Sequence, residues 1–352
     1  MRLYKLPFAA FVIGGFALLS CGCDAAKEAA SDIADRAKDA VGDGENTAAP
    51  ADTTSAEPTA AAPAAPTPQQ LVDAFLNTSP RQYTDDMIVE AANASPANEA
   101  VTSLKLSAAP VTVKAIEALQ RFPNLKELDL SGGRLLSAAS CQPIANLQQL
   151  ESLKLAGTAW NDAMMPVLSG LSGLRELDLD HTKVSDQGLV HLQNLENLRS
   201  LKLRRATTNG AVFKLLKLPN LERLEVGQTL FGVEGSKYLK NMPNLKVLIA
   251  GTAGISDETL KGLRACKNLE ELFVGSNGIT DDGLKFLKSS KKLKKLSLSK
   301  NTRVSGRGLI VMKSLRQVEM LDIDGTSANQ QTVNDLVELL PDTDIMWGGR
   351  TW

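Results

Sequence analysis

The chain has 352 residues, with 39 Lys and Arg against 40 Asp and Glu, and a formal net charge of -1. This balance argues against a nucleic-acid binder, which needs a basic surplus to neutralise phosphates. Hydrophobic residues make up 43% of the chain and aromatic residues only 4%, which predicts an aliphatic core and excludes a polytopic membrane protein or a fully disordered chain. Two His and four Cys leave few residues for metal binding or histidine-based catalysis.

Residues 1–20 have the pattern of a signal peptide. Two basic residues precede an apolar stretch over residues 8–19, which is too short for a comfortable transmembrane helix. Residues 18–21, with the sequence LLSC, resemble the lipobox of bacterial lipoproteins, in which signal peptidase II cleaves before a diacylglyceryl-modified cysteine. The resemblance implies lipidation of Cys21 and a membrane-anchored lipoprotein of the bacterial cell envelope, facing the periplasm or the outside. An ordinary cleaved signal peptide is the alternative.

Residues 21–70 are rich in Ala, Pro and Thr and have no apolar stripe wide enough to dock a helix. We therefore predict a disordered tether here, which as a random coil would span roughly 35 to 40 Å. Residues 71–100 are predicted to form an N-terminal helical cap. Its apolar residues fall in two short helices, with Leu71, Val72, Phe75 and Leu76 in the first and Met87 and Ile88 in the second.

A hexapeptide L-x-x-L-x-L recurs through the rest of the chain. Its ten copies, some degenerate, begin at residues 101, 125, 150, 174, 198, 221, 245, 269, 293 and 318, so that the period is 23 to 25 residues. Each copy predicts a strand, and an eleventh strand is predicted at Ile345 and Trp347. Apolar residues at a spacing of three, such as Leu189, Leu192 and Leu195, follow the strands and predict helices. Suitable helix N-caps stand ahead of them at Ser185, Ser256, Thr280 and Ser305.

This pattern resembles the leucine-rich repeat family, of the helix-containing, ribonuclease-inhibitor-like type, over about residues 101–347. The resemblance implies an α/β solenoid, a right-handed horseshoe of about ten repeats with parallel strands on the concave face and short helices on the convex face. Residues 101–352 would form this domain, closed by a C-terminal capping strand. The family's asparagine ladder is represented by Asn277 and Asn301, whereas four other repeats have Thr at that position, namely Thr158, Thr182, Thr229 and Thr326. A threonine hydroxyl can still bond a buried backbone group, so we expect a weakened ladder.

Alternate residues of each strand should face the concave surface. We count offsets from the first residue of each hexapeptide, and offsets 2, 4 and 6 then point outward. An acidic row, Asp178 and Asp180, is placed beside a basic row, Lys202 and Arg204, which predicts cross-strand ion pairs. The alternative is that these charges only keep the face soluble.

An apolar patch is predicted on the neighbouring strands of the same face. Val247, Ile249 and Phe273 lie there together, with glycines at offset 6 clearing space above them. A contiguous apolar patch rimmed by charge is typical of an interaction site, so these three residues and the four charged ones are our candidates for contact with a protein or peptide ligand. The alternative is an unremarkable patch, or one covered by neighbouring loops.

Residues that could perform chemistry are few. Cys141 and Cys266 take positions held by leucine in other repeats and are interpreted as core. His181 could face the concave rim, but no nucleophile is implied beside it. We predict no catalytic residue, no metal site and no cofactor. The basic segment Lys288–Lys295 is interpreted as a solvated edge, with binding of an anionic lipid headgroup or polysaccharide as the alternative.

The sequence thus favours a non-enzymatic, lipid-anchored envelope protein that binds a protein or peptide through its concave face and does not bind nucleic acid. Two other hypotheses stay open. One is a structural envelope scaffold that self-associates, and the other is a secreted effector with an associated enzymatic role, although no catalytic module is visible beside the repeats.

Overall fold

The computed structural model describes residues 65–133 and 137–352. Two helices precede the repeats, α1 (Pro68–Leu76) and α2 (Asp85–Asn93), which start at the N-caps Thr67 and Thr84. Val72 and Phe75 of α1 and Ile88 of α2 are buried against the first repeat. The predicted signal peptide, the lipidation site Cys21 and most of the predicted tether lie outside the described residues.

Twelve strands of the described residues form one sheet in sequence order. They are β1 (Ser103–Lys105), β2 (Glu127–Asp129), β3 (Ser152–Lys154), β4 (Glu176–Asp178), β5 (Ser200–Lys202), β6 (Arg223–Glu225), β7 (Val247–Ile249), β8 (Glu271–Phe273), β9 (Lys295–Ser297), β10 (Met320–Asp322), β11 (Asp344–Trp347) and β12 (Arg350–Thr351). Strands β1 to β11 are parallel, and leucine lies opposite leucine along the ladder, as in Leu177 opposite Leu201. The predicted eleventh strand is confirmed as β11, whereas β12, which pairs antiparallel with it, was not predicted.

Short helical segments connect the strands. The α-helices are α3 (Val113–Ala118), α4 (Asp186–Leu189), α5 (Gly232–Ser236), α6 (Asp257–Gly262), α7 (Asp281–Leu284), α8 (Gly306–Leu309) and α9 (Gln330–Leu339). Most of them continue directly into a 3-10 turn, and three repeats have only 3-10 turns, at Gln142–Asn146, Asp162–Leu168 and Ala211–Lys214. Residues three apart lie on one face of a 3-10 helix, so the strict spacing of three that predicted helices suits this tighter form better than an α-helix.

The core is a continuous column of leucines between the strands and the helical segments. Leu177, Leu189 and Leu192 of one repeat are fully buried, and most of their counterparts in the neighbouring repeats are buried too. Leu215, which the spacing of three places at the position of Leu192 in the next repeat, is instead 55% exposed, and Leu216 is buried there. Complete burial of one leucine stabilises the fold by roughly 1.5 to 3 kcal/mol, but a single repeat has no second layer against which to bury it. Trp160 and Phe231 are also fully buried and belong to this core.

Side-chain hydrogen bonds join consecutive repeats where the ladder has asparagine. The Asn301 side chain donates to the carbonyl of Val274 in the preceding repeat at 2.9 Å and to that of Leu298 in its own repeat at 2.8 Å. It also accepts from the Asn277 backbone N–H at 3.2 Å. The hydroxyl of Thr182, by contrast, donates only to the carbonyl of Leu179 in its own repeat. The threonine repeats therefore keep the bend and lose the bond to the neighbour, as expected.

A second ladder runs through the helix N-termini. The Asp257 carboxylate of one repeat accepts from the backbone N–H and the hydroxyl of Thr280, the N-cap of the next repeat, at 2.9 and 2.7 Å. Asp162 with Ser185 and Asp281 with Ser305 repeat this arrangement. The predicted N-caps Ser185, Thr280 and Ser305 are confirmed, and Ser256 is the N-cap of α6. The aspartate that follows each of these caps except Ser305 thus binds one repeat to the next.

Candidate ligand-binding surface

The charged rows of the concave face pair across adjacent strands. Asp178 on β4 lies opposite Lys202 on β5, and their charged atoms are 3.4 Å apart. Just beyond these strands the Arg204 Nε donates to Asp180 at 2.6 Å, and the Arg204 backbone N–H donates to the same carboxylate at 2.7 Å. The predicted cross-strand ion pairs are therefore present in the structure.

Asp180 lies beneath the surface. Its exposed fraction is only 2%, because the Arg204 side chain covers it. Burial raises the pKa of the Asp180 carboxyl, and the two hydrogen bonds from Arg204 act in the opposite direction. Glu225 is likewise buried and lies 3.5 Å from the Arg204 Nε. Two carboxylates thus hold the arginine from below, while about half of its side chain stays exposed.

Ile249 and Phe273 lie directly opposite each other on β7 and β8. Both are half-buried, so the apolar patch is a recessed floor and not a protruding surface. Val247 occupies the other outward position of β7, opposite Glu271, whose carboxylate pairs with Lys295 at 2.8 Å. Val247 thus lies two residues before Ile249 on the same strand and is not part of the floor formed by Ile249 and Phe273.

A cavity of about 470 Å³ lies above this floor. Its lining residues are His181, Arg204, Arg205, Gly227, Gln228, Ile249, Gly251, Thr252, Phe273, Gly275, Ser276, Ser297 and Ser299. Three of them are the glycines at offset 6, and an added Cβ at Gly251 would reach only the Gly275 carbonyl, at 3.6 Å. No Asp or Glu lines this cavity among the residues that the structure describes. The cavity therefore has an apolar floor and has cationic and hydroxyl groups at its rim.

The rim residues share an unusual backbone conformation. Offset 7 has a positive φ in all ten repeats, and seven of these ten residues are not glycine: Ala108, His181, Arg205, Gln228, Thr252, Ser276 and Lys300. Five consecutive ones, from His181 to Ser276, line the cavity. The left-handed conformation disfavours residues with a Cβ, and because it occurs in every repeat it belongs to the bend of the repeat itself. The Arg205 guanidinium also donates to the Gln228 side chain, which links two neighbouring rim residues.

The structure brings together part of the predicted site. Arg204, Ile249 and Phe273 line the cavity, together with His181, whose position at the concave rim the sequence suggested. Lys202, Asp178, Asp180 and Val247 lie around it and do not line it. Arg205, Gln228, Thr252 and Ser276 were missed, because only the alternating strand residues were considered. Their shared offset at the bend after each strand was the signal that could have identified them.

Other kinds of site find little support in the described part of the chain. No group of three His, Cys, Asp or Glu residues there could hold a metal ion. Cys141 and Cys266 are buried, and burial raises the pKa of both thiols, to about 11 for Cys266. This is the opposite of what a nucleophilic cysteine requires. Within residues 65–133 and 137–352, no helix is long and apolar enough to cross a membrane.

Comparisons with known proteins agree with this architecture. The family model described as Leucine Rich repeat matches residues 173–192 and 265–288. No curated protein sequence matches the chain. Among solved structures, an internalin (inlF) from Listeria monocytogenes is similar, with 18% identity and a TM-score of 0.51, over 79% of this chain and 86% of the internalin. The mouse RP105/MD-1 complex is similar too, with 19% identity and a TM-score of 0.52 over 67% of this chain, which spans 40% of the matched chain. The protein therefore has the leucine-rich repeat fold.

Proposed function

We propose that this protein is a non-enzymatic, lipid-anchored protein of the bacterial envelope that binds a protein or peptide partner through its concave face. The cavity over Ile249 and Phe273 carries this proposal. Leucine-rich repeat proteins generally act as protein–protein interaction modules, and the similar RP105 structure is itself a complex with MD-1.

The chemistry of the cavity indicates the kind of group that fits it. An apolar side chain of the partner can cover Ile249 and Phe273, which removes apolar surface from water. The groups around this floor are hydrogen-bond donors, namely the Arg204 and Arg205 guanidinium groups and the Thr252 and Ser276 hydroxyls. A peptide segment with one apolar residue next to polar or acidic ones therefore matches the site best.

The proposed location rests on the sequence. The lipobox-like residues 18–21 would place a diacylglyceryl group on Cys21, and the segment that follows would hold the repeat domain near the membrane surface. Replacement of Cys21 by Ala should abolish incorporation of labelled palmitate and release the protein from membranes that are washed at high salt, which screens electrostatic attachment. Attachment of the Cys21→Ala protein that persists through this wash would refute the anchor.

Partner binding can be tested by photo-crosslinking in native envelopes. A photoreactive residue at the rim position Thr252 should capture a partner that mass spectrometry identifies, and the same residue at Lys105, on β1, should not. Phe273→Asp should abolish the capture because it places a charge on the apolar floor. Met320→Asp is the matched control, since Met320 is also half-buried in the concave sheet but lies on β10, outside the cavity.

Arg205→Gly is a second variant of the cavity rim, and it should fold like the wild type. Glycine accepts the positive φ of 60° at this position, so stability should be unchanged or slightly increased while the rim loses its guanidinium group. Capture that is equal in wild type, Phe273→Asp and Arg205→Gly would contradict the proposed site. Concentration-dependent sedimentation with no captured partner would instead favour the self-associating scaffold.

A further inference from the structure

The helical side of the repeats that begin at 221, 245, 269 and 293 presents basic residues in register. Five residues before the next strand-forming hexapeptide, these repeats have Lys240, Arg264, Lys288 and Lys313. Each of the four lies in the 3-10 turn of its repeat. Lys267, Lys291 and Arg316 form a second row three residues further on. We call these seven residues the basic rows.

The basic rows are exposed, and no described residue forms an ion pair with any of their seven side chains. Lysines one turn earlier differ, because Lys237, Lys261 and Lys285 are each paired with an acidic residue of the same helix. Lys291 donates to the Ser314 carbonyl of the next repeat at 3.0 Å, a contact that fixes its position and leaves its charge in place.

The rows are confined to one end of the solenoid. The four repeats that begin at 101, 125, 150 and 174 have neutral residues at the position of the first row, namely Gln120, Ala145, Ser169 and Gln193. If these basic residues served only solubility, they would not need to be concentrated in these repeats. Seven cations on one end create a localised positive potential that attracts a polyanion.

An exposed apolar residue lies within the same surface. Ile310 takes the position that Lys237, Lys261 and Lys285 hold in the preceding repeats, and 56% of its side chain is exposed. It lies in a shallow cavity of about 230 Å³ whose rim has four cations, Lys285, Lys288, Arg307 and Lys313. Asp281 and Asp282 line it too, but Asp282 is paired with Lys285 and Asp281 accepts hydrogen bonds from Ser305. An apolar side chain among cations is typical of surfaces that bind the interface of a membrane, whereas a soluble polyanion offers nothing apolar to contact.

We infer that the basic rows bind the anionic phospholipid headgroups of the membrane to which the protein is attached. This inference rests on the proposed lipid anchor at Cys21, because roughly 45 residues of linking chain, as a random coil, would give an r.m.s. distance of roughly 35 to 40 Å between the anchor and the repeat domain. Such a link gives the rows a high effective concentration of headgroups, so weak individual contacts suffice. The concave cavity, built from other side chains, can then bind its partner beside the membrane.

Vesicle cosedimentation tests the inference without the anchor. Residues 21–352 with Cys21→Ala should sediment with mixed phosphatidylglycerol and phosphatidylcholine vesicles and not with pure phosphatidylcholine. The triple variant Lys240→Glu, Lys288→Glu, Lys313→Glu should bind the anionic vesicles about a hundredfold more weakly, since each basic residue near such a surface contributes about 1 kcal/mol. Binding should also weaken as salt is raised above about 0.1 M.

The matched control changes the net charge by the same amount elsewhere. Lys105→Glu, Lys154→Glu, Lys183→Glu alters three exposed lysines that also lack ion pairs with described residues. It should retain most of the vesicle binding. Equal losses in the two triple variants would show that net charge alone acts and would overturn the inference.

Two further arms separate the inference from its competitors. Phe273→Asp should bind vesicles like wild type, so loss of partner capture and loss of vesicle binding are independent results. Inorganic phosphate and dextran sulfate serve as soluble probes. A wild-type protein that binds either of them but prefers neither kind of vesicle would have a phosphate or soluble-polyanion site, and the membrane inference would be wrong.

Discussion

The carboxylate of Asp257 occupies the space that a side chain at Gly283 of the next repeat would need. Asp257 cannot move away without breaking its two hydrogen bonds to Thr280, at 2.9 and 2.7 Å. Gly188 beside Asp162 and Gly308 beside Asp281 repeat this relationship. The glycine and the aspartate of the repeat pattern are therefore two parts of one junction between repeats.

Gly283→Ala should consequently destabilise the protein by about 2 kcal/mol, through overpacking against Asp257 and loss of its hydrogen bonds. Urea unfolding of the full chain measures this effect. Gly278→Ala in the same repeat is the control, since an added Cβ there would meet only the Ile255 carbonyl at an ordinary 3.6 Å. Similar losses in the two variants would contradict the junction. In the Asp257→Ala background the cost of Gly283→Ala should be smaller.

Asn301→Thr should destabilise the protein, although threonine occupies the same position in four other repeats. The substitution removes the donor to the Val274 carbonyl and the acceptor for the Asn277 backbone N–H, which leaves buried groups without partners. We expect a loss of about 2 to 3 kcal/mol. Thr182→Ala, which removes a bond within one repeat, should cost only about 1 kcal/mol. Equal losses in urea unfolding would refute a special role for asparagine between repeats.

Arg204→Ala should destabilise the protein in a manner that depends on pH. It removes the hydrogen bond from the Arg204 Nε to the buried Asp180 and leaves only the one from the backbone N–H of residue 204. Because Arg204 is half-exposed, we expect a loss of about 2 kcal/mol at neutral pH. Burial already raises the pKa of Asp180 above that of the unfolded chain, so protonation favours the folded state. The difference from wild type should therefore shrink as the pH falls through the folded-state pKa. A deficit that does not vary between neutral and acidic pH would contradict this account.

The buried thiol of Cys266 should make the folded protein less stable at alkaline pH. Burial raises its thiol pKa from 9.0 to about 11 in the folded state. Above pH 9 the unfolded chain releases a proton that the folded chain retains, so stability falls with rising pH until about pH 11, by up to roughly 3 kcal/mol in total. Cys266→Val lacks this group and should lose less stability over the same range. Parallel pH profiles for the two proteins would show that Cys266 does not contribute.

The strand register and the core were predictable because the same hydrophobic pattern recurs in every repeat. A single L-x-x-L-x-L segment is ambiguous, but ten copies at one period leave one arrangement in which Leu177 lies beside Leu201 and Leu153. The helical half was predicted in position and was shorter than expected. Its spacing of three matches the 3-10 turns that follow each short α-helix.

The candidate site was predictable only in part, because it depends on how neighbouring side chains cover one another. The sequence placed Asp180 on the concave surface, and it is the Arg204 side chain of the next repeat that buries it. Phe273 and Ile249 were recognised from strand alternation, but their recessed position depends on the bend residues around them. Those residues have no shared chemistry from Arg205 to Ser276, so composition could not reveal them.

The left-handed bend has a consequence for how recognition could diversify. Because the side chains at offset 7 from His181 to Ser276 point at the cavity rim and take no part in the leucine core, each can change without repacking the interior. Glycine would relieve the backbone at every one of them, yet five consecutive repeats retain larger residues there. Related chains could therefore acquire new binding preferences one bend at a time, while the scaffold beneath stays the same.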